Sequence, residues 1–311
     1  MEQHSAALCA VAEQARTGGC AVAFDEPMAR HTTMRVGGAA DLFVIAPDAA
    51  GACAVLSAGR AAGVPVTLVG NGSDLIVGDR GIRGAVLRLA AQPPVLLPDG
   101  VRVQCDAGTT LSALCVFARD RGLAGLEFAY GIPGTLGGAL FMNAGAYGGE
   151  IADVTETVQA VTFGGTALTV TAEDMAFGYR RSAAQGRTGD DRLLFTAATL
   201  HLTPDDPAAI AARMDDYMQR RRDKQPLEYP SAGSFFRRPA GHFAGALIEQ
   251  AGLKGCRIGG AAVSEKHAGF VVNLGGATAA DIRALSRHVQ ERVCAHSGVE
   301  LTPEVRFIGE L

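Results

Sequence analysis

Residues 131–150, GIPGTLGGALFMNAGAYGGE, contain seven glycines and no charged side chain before Glu150. Glycine at this density lets backbone N–H groups approach a ligand at angles closed to other residues. Ile132, Leu136, Leu140, Phe141 and Met142 make the stretch apolar as well, so it is not a solvated linker. An uncharged, glycine-rich backbone of this kind suits a large cofactor with a flat ring and a pyrophosphate. Tight turns are the commoner use of clustered glycine. Here the G-x-x-G-x-x-G-G spacing of Gly131, Gly134, Gly137 and Gly138, with Asn143 and Tyr147 close behind, favours the cofactor.

A second glycine turn, GNGSDL at 70–75, follows the apolar run VTLV directly. Gly70 and Gly72 permit a nest of converging N–H groups, and Asn71 and Ser73 add side-chain donors. Leu75 occupies the third position of a G-x-G-x-x-G fingerprint, so the Rossmann motif fails, and no Walker lysine is present. Alone, the turn is as readily structural as phosphate-binding. Beside 131–150 it supplies a second wall for one dinucleotide.

SAGSFFRRP at 231–239 sets Ser231 and Ser234 around a small Ala-Gly pair, with Arg237 and Arg238 beyond. A hydroxyl on such a turn, beside cations, can donate a proton to a developing carbanion, although a serine satisfying its own turn is commoner. No G-x-S-x-G occurs, which excludes a hydrolase nucleophile elbow. Arg180 in FGYRRS and Glu304 in LTPEVRF are lone charges whose ordinary uses are a surface arginine and a strand-edge carboxylate. Lys224 in RRDKQP and His267 in SEKHAGF have the same standing. His288 and Glu291 form H-x-x-E, but residue 292 is arginine, so the inverted zinc motif is incomplete and no metal site is expected.

The elements expected to carry these residues begin with an amphipathic helix over 5–16 and a strand over 42–46. A helix then runs from Asp48 to Arg60 and stops at Gly63, ahead of a strand over 64–69. β-rich segments follow at 84–90 and 101–108, around Pro93, Pro94 and Pro98. Thr109 or Thr110 opens a helix that buries Leu111, Leu114 and Cys115 and closes at Gly122. Strands near 154–163, 166–170 and 193–202 precede a second break, TPDDP at 203–207. Asp205 is the expected N-cap of the next helix, with Pro207 in its first turn and Ile210, Met214, Tyr217 and Met218 as its apolar stripe. Arg220, Arg221 and Arg222 meet the dipole at its end. Residues 226–311 read as a separate α+β block, with one helix near 242–251. Another helix opens at the Thr278–Asp281 capping pair and carries Ile282, Leu285, Val289 and Val293.

With 311 residues, 48% hydrophobic and 19% charged, the chain suits two or three globular subdomains. A net charge of −4 without basic excess argues against nucleic acid as a partner. Seven scattered cysteines with no C-x-x-C pair argue for a reduced compartment and against a disulfide framework. The stretch MEQHSAALCAVAEQARTGG has no basic n-region, and no later segment is long and apolar enough to span a bilayer. A cytoplasmic protein without membrane insertion is expected.

Seven stretches together resemble the UDP-N-acetylenolpyruvoylglucosamine reductase family. They are HTTMRVGGAADLFV (31–44), GNGSDLIVGDRGIRG (70–84), GLEFAYGIPGTLGGALFMNAGAYGGEI (125–151), FGYRRS (177–182), YPSAGSFFRRP (229–239), GGAAVSEKHAGFVVN (259–273) and PEVRFIG (303–309). They span nearly the whole chain in the family's order, and SEKHAGF with the modest length resembles the family's shorter second type. The resemblance implies an α+β protein: a two-subdomain FAD-binding fold of the vanillyl-alcohol oxidase/PCMH type, plus a C-terminal α+β substrate-binding domain. The expected division is an N-terminal helix (1–20), FAD-binding subdomains at 21–92 and 93–225, and the substrate-binding domain at 226–311. The GNGSD loop lacks the histidine that tethers FAD covalently in related folds, so FAD is expected to bind non-covalently.

The implied reaction reduces the enolpyruvyl ether of UDP-N-acetylglucosamine enolpyruvate to UDP-N-acetylmuramate, in peptidoglycan precursor synthesis. NADPH reduces the flavin, and hydride then passes to the terminal vinyl carbon, placing negative charge on C2 and the adjacent carboxylate. Arg180 and Glu304 match the family's residues for that charge, with Glu304 carrying or sharing a proton, and Ser234 matches its proton donor to C2. The FAD contacts fall on Gly70, Asn71, Gly72, Ser73, Asp74 and Leu75, and on Gly131, Ile132, Pro133, Gly134, Thr135, Gly137, Gly138, Asn143 and Gly145. Lys224, Arg237, His267 and Tyr147 fall at substrate-contacting positions, and a monomer is expected. Three residues depart from the family pattern: Asp74 for asparagine, Arg237 for lysine and Phe235 for threonine. Two rival readings are an oxygen-using oxidase on the same scaffold and a flavin-binding regulator without turnover. The missing tethering histidine, with Ser234, Arg180 and Glu304 all present, counts against both.

Overall fold

Ser5 accepts the Leu8 amide N–H at 3.2 Å and opens α1 (Ala6–Thr17), the first element of a computed structural model that describes residues 4–311. The chain sorts into two compact units. One holds residues up to 24, 42–71 and 84–219, and the other holds 25–41, 72–83 and 220–311. The backbone passes from one unit to the other inside three strands, at 24/25, 41/42 and 83/84, and inside a long helix, at 219/220.

In the first unit, α1 packs on α2 (Ala49–Ala62), which Asp48 caps through the Gly51 N–H at 2.8 Å and a left-handed Gly63 ends. Leu8, Val11 and Ala15 meet Ala52, Val55 and Leu56 over Leu42, Val44 and Ala46 in one core. A four-stranded sheet in the order 21–27, 39–46, 82–89, 66–68 lies beneath, with Val66–Leu68 parallel to Ile82–Leu89. A second sheet runs in the order 167–171, 155–162, 193–201, 102–106, 95–96, antiparallel throughout. Val103 and Cys105 face inward opposite Leu200 and Ala198, the alternation expected of a half-buried strand. The buried Cys105 thiol is pushed up to about 12 by desolvation, and Cys115 is raised for the same reason. Both are inert packing groups.

Three helices cover this core. α3 (Leu111–Arg119) is capped by Thr110 rather than Thr109, and buries Leu111, Leu114 and Cys115 as its spacing predicts. α4 (Leu136–Met142) lies inside the glycine-rich segment, where no helix was expected from the sequence; Thr135 caps it and Leu136, Ala139 and Leu140 are buried. α5 (Pro207–Lys224) buries Ile210 and Met214. Its first helical bond, from the Ile210 N–H, ends on the Asp206 carbonyl, and the Asp206 carboxylate accepts the Ala208 N–H. Asp206 therefore replaces the expected Asp205, whose carboxylate is engaged by Arg213 at 2.6 Å.

The second unit packs α6 (Ala244–Gln250) and α7 (Ala279–Ser297) on an antiparallel sheet ordered 231–234, 270–273, 261–263, 257–258. Ile282, Leu285, Val289 and Val293 are fully buried, as the period of α7 requires. The Thr278–Asp281 capping box forms in full. SAGS at 231–234 is a strand with a bulge at Ala232–Gly233, not the expected turn; Gly233 takes φ +75° and the chain re-enters register at Ser234.

Asp79 adds a cap that the sequence did not reveal. Its carboxylate accepts the N–H groups of Ala279 at 2.7 Å and Ala280 at 2.9 Å, 200 residues away. Asp79→Ala is expected to lower stability by about 0.5–2 kcal/mol in urea unfolding followed by circular dichroism. An unchanged midpoint would show that water replaces both bonds without cost.

Candidate active site

In the first unit the two glycine turns touch. A Cβ on Gly70 would lie 2.6 Å from Thr135 Oγ1, so the approach depends on glycine there. Asn71 Nδ2 donates to the Pro133 carbonyl at 2.7 Å, and the half-buried Arg88 reaches Asn71 Oδ1 at 3.4 Å. Gly137 donates its N–H to Ala107 O, and Gly138 donates to Thr135 Oγ1, so these two amides serve the fold. Around Gly138 the space is open: a Cβ would meet only Thr135 Oγ1, at 3.6 Å. Gly131 and Ile132 are half-buried, Gly134 and Thr135 are buried, and Pro133 is exposed. This surface of bare backbone, hydroxyl and amide, with one cation and no carboxylate in 131–145, fits an uncharged ring system joined to a pyrophosphate.

Asn143 ends α4 in the left-handed conformation, φ +44°, and is fully buried. Its amide donates to Gly178 O and accepts the Ala152 N–H, each at 3.1 Å. Gly178 and Arg181 exchange backbone bonds of 3.0 Å, leaving Tyr179 and Arg180 as the two residues of a tight turn. Arg180 has φ +53°, its Nη2 donates to Gly145 O at 3.1 Å, and the Gln185 amide holds both Arg180 O and Phe141 O. Tyr147 sits at the tip of the short hairpin 145–150 with φ +54° and stacks on Tyr217. Six described non-glycine residues have positive φ, and Asn143, Tyr147 and Arg180 are three of them. Such strain persists where the surroundings over-determine it and concentrates at functional sites.

The second unit gathers another group. Ser234, exposed, pairs with Phe270, and the Phe235 N–H bonds Gly269 O. The Glu304 N–H donates to Phe235 O at 2.8 Å, and the Arg237 N–H donates to Thr302 O at 2.9 Å, so Ser234 and Glu304 lie on bonded segments. His267 packs edge-on against Phe270, its ring Nδ1 accepting the Gly269 N–H at 3.0 Å. Lys266 Nζ bonds Arg222 O at 2.6 Å, which brings the end of α5 and the exposed Lys224 to the same segment. Phe235 is fully buried and takes no surface role.

The GNGSDL turn continues in this unit. Gly72 (φ +62°) has no room for a Cβ against His31 O, and its own carbonyl accepts the Thr33 N–H. Asp74 O accepts the Arg306 N–H, after which Leu75–Val77 runs parallel to Arg306–Ile308. Thr33 Oγ1 also donates to Ser231 O at 2.7 Å, tying the HTTMRVGG loop to the serine strand. Sequence reasoning missed Gln185, Thr33 and Tyr217 as supports, because nothing local marks a residue whose partner lies far along the chain. Among the described residues no group of three or more His, Cys, Asp or Glu is placed to hold a metal ion. Nor is any of their helices long and apolar enough to cross a membrane.

Burial holds the His267 imidazole below its ordinary value, with the Lys254 and Lys224 cations adding to the effect and Glu249 opposing it. A histidine depressed on folding binds fewer protons than the unfolded chain just below pH 6.5, so its contribution is complete above that value and is lost on acidification. NMR titration of the His267 ring is expected to show a midpoint under 6.5, and a midpoint at or above that value would contradict the burial.

A family model described as FAD binding domain matches residues 40–171, and one described as UDP-N-acetylenolpyruvoylglucosamine reductase, C-terminal domain, matches 225–308. The chain is 48% identical to the UDP-N-acetylenolpyruvoylglucosamine reductase of Shouchella clausii over 286 residues, covering 92% of this chain and 90% of that one. It is 45% identical to the Exiguobacterium sibiricum protein of the same name over 290 residues, covering 93% and 94%. The crystal structure of the Thermus caldophilus reductase superposes with a TM-score of 0.77 at 35% identity, covering 93% of this chain and 98% of that one. With an FAD binding domain ahead of the reductase C-terminal domain in one α+β chain, this protein belongs to the UDP-N-acetylenolpyruvoylglucosamine reductase family of FAD-dependent oxidoreductases.

Proposed function

We propose that this chain reduces the enolpyruvyl ether of UDP-N-acetylglucosamine enolpyruvate to UDP-N-acetylmuramate with NADPH, in peptidoglycan precursor synthesis. The observation that carries the reading is the backbone bond from the Glu304 N–H to Phe235 O, which joins the serine-bearing strand to the glutamate-bearing segment. Family membership over nearly the whole chain supports the substrate. FAD, held non-covalently by the 70–75 and 131–145 segments, supplies the two-electron carrier between NADPH and the vinyl carbon.

The protein's own part is charge and proton control. Hydride addition at the terminal vinyl carbon leaves an electron pair at C2, delocalised into the adjacent carboxylate. Arg180 stabilises that charge: its strained backbone and its Gly145 anchor fix the guanidinium before substrate arrives, so little reorganisation is needed at the reacting moment. Glu304 contributes a shared proton to the same carboxylate. Ser234 Oγ delivers the proton to C2, completing addition of one hydride and one proton across the double bond, and recovers its own from solvent, to which it is exposed. Lys224, Arg237, His267 and Tyr147 bind the sugar nucleotide, where Lys224 and Arg237 offer charge to the diphosphate. Residues 21–92 and 93–225 are assigned to FAD, 226–311 to the substrate and 1–20, of which 1–3 lie outside the described residues, to the N-terminal segment that carries α1. The enzyme acts as a cytoplasmic monomer.

An anaerobic visible spectrum tests the whole reading. Flavin bands are expected to bleach with one equivalent of NADPH and to return when the enolpyruvyl sugar nucleotide is added. Return only on admitting oxygen would identify an oxidase, and no flavin spectrum after supplying FAD would end the assignment. Ser234→Ala is expected to leave bleaching by NADPH intact and to slow product formation about 10²–10⁴-fold or more. Equal loss in both halves would remove Ser234 from the proton-donor role.

A further inference from the structure

Tyr217 belongs by spacing to the apolar stripe of α5, yet its ring lies flat on that of Tyr147, centroids 4.6 Å apart and planes 4° from parallel. Tyr147 occupies the tip of a hairpin in which Gly149 pairs with Ala146 and Glu150 with Gly145. Its φ of +54° is one that a tyrosine keeps only when held from outside. The elements that carry the two rings both rest on one short turn, Glu127–Ala129. Arg213, one turn before Tyr217 on the same helix face, donates Nε and Nη2 to Glu127 Oε1 at 3.0 and 2.7 Å. Glu127 is 8% exposed and also accepts the Gly125 N–H at 2.8 Å, so this anchor is rigid. On the hairpin side Gly149 leans on the Phe128 ring, where a Cβ would come within 2.7 Å of Cδ1. The base of the hairpin is Gly145, whose carbonyl receives Arg180 Nη2 at 3.1 Å.

We propose that Tyr217 is a positioning residue for substrate reduction: stacked on Tyr147, it holds the 145–150 hairpin and, through the Gly145 carbonyl, the guanidinium of Arg180. Tyr217 touches neither substrate nor cofactor in this role, which rests on the reading of Arg180 given under the proposed function. Near-parallel aromatic pairs gain beyond the area they bury, and a planar face is what the contact requires. An aliphatic side chain of similar size supplies the area without the face.

The test uses the FAD-loaded protein in stopped flow, with the two half-reactions followed separately. Tyr217→Ala is expected to slow flavin reoxidation by the enolpyruvyl sugar nucleotide roughly three- to tenfold in the limiting rate, with reduction by NADPH within about twofold of the parent. Tyr217→Phe, which keeps the ring, is expected to restore reoxidation, and Tyr217→Leu to behave like the alanine variant. Parent-like rates in both halves for the alanine and leucine variants would overturn the proposal. So would a parallel slowing of both halves together with a lowered melting temperature, because that pattern describes packing alone. A parent enzyme that bleaches with NADPH but is not reoxidised by the sugar nucleotide would instead overturn the reading of the reaction, and this role with it.

Discussion

A single buried amide organises the first unit. Asn143 closes α4, donates to the turn that presents Arg180, and accepts from the turn that follows the Tyr147 hairpin. The two turns it joins to the helix are short and cannot hold their shape through long runs of repeating backbone bonds. Removing one partner from a buried polar pair costs about 1–3 kcal/mol, so the three move as one piece or not at all. The glycine-rich stretch is therefore less a flexible loop than a short helix with a fixed end, and its glycines serve close packing as much as ligand approach.

The second unit reaches the same end differently. Its candidate residues hang on backbone pairing, with Ser234 opposite Phe270 and Glu304 bonded to Phe235. The bulge at Ala232–Gly233 re-aims the strand just before Ser234, a use of extra residues that is common beside functional sites. The HTTMRVGG loop fastens this strand to the Gly72 turn through Thr33, which bonds both Gly72 O and Ser231 O. One small hydroxyl residue thus links the Gly72 turn to the serine strand within the unit.

Backbone strain and bracing go together. Arg180 and Tyr147 sit in the left-handed region, and each has an external restraint: Gln185 on the Arg180 carbonyl, and Tyr217 on the Tyr147 ring. Holding a guanidinium in place before charge develops is what gives electrostatic stabilisation its value. The cost of the conformation is met by contacts that lie away from the guanidinium itself.

Most regular elements were legible in the chain, because caps and hydrophobic periods are local properties. Asp48, Thr110 and the Thr278–Asp281 box mark helix starts in the sequence and cap them in the structure. α4 was hidden, since three residues of its buried face cannot establish a period and its glycines argue for turns. Asp205 lost the capping position to its neighbour because Arg213 engages its carboxylate, a competition no local pattern displays. The motifs also identified the family, because they depend only on the order of side chains along the chain. What holds those side chains depended on tertiary structure: Asn143, Gln185, Thr33 and Tyr217 acquire partners 35, 44 and 198 residues away or from a stacked ring. Sequence determines which groups are present and which helices they favour. Their aim is decided by long-range hydrogen bonds and ring contacts that exist only once the chain has folded.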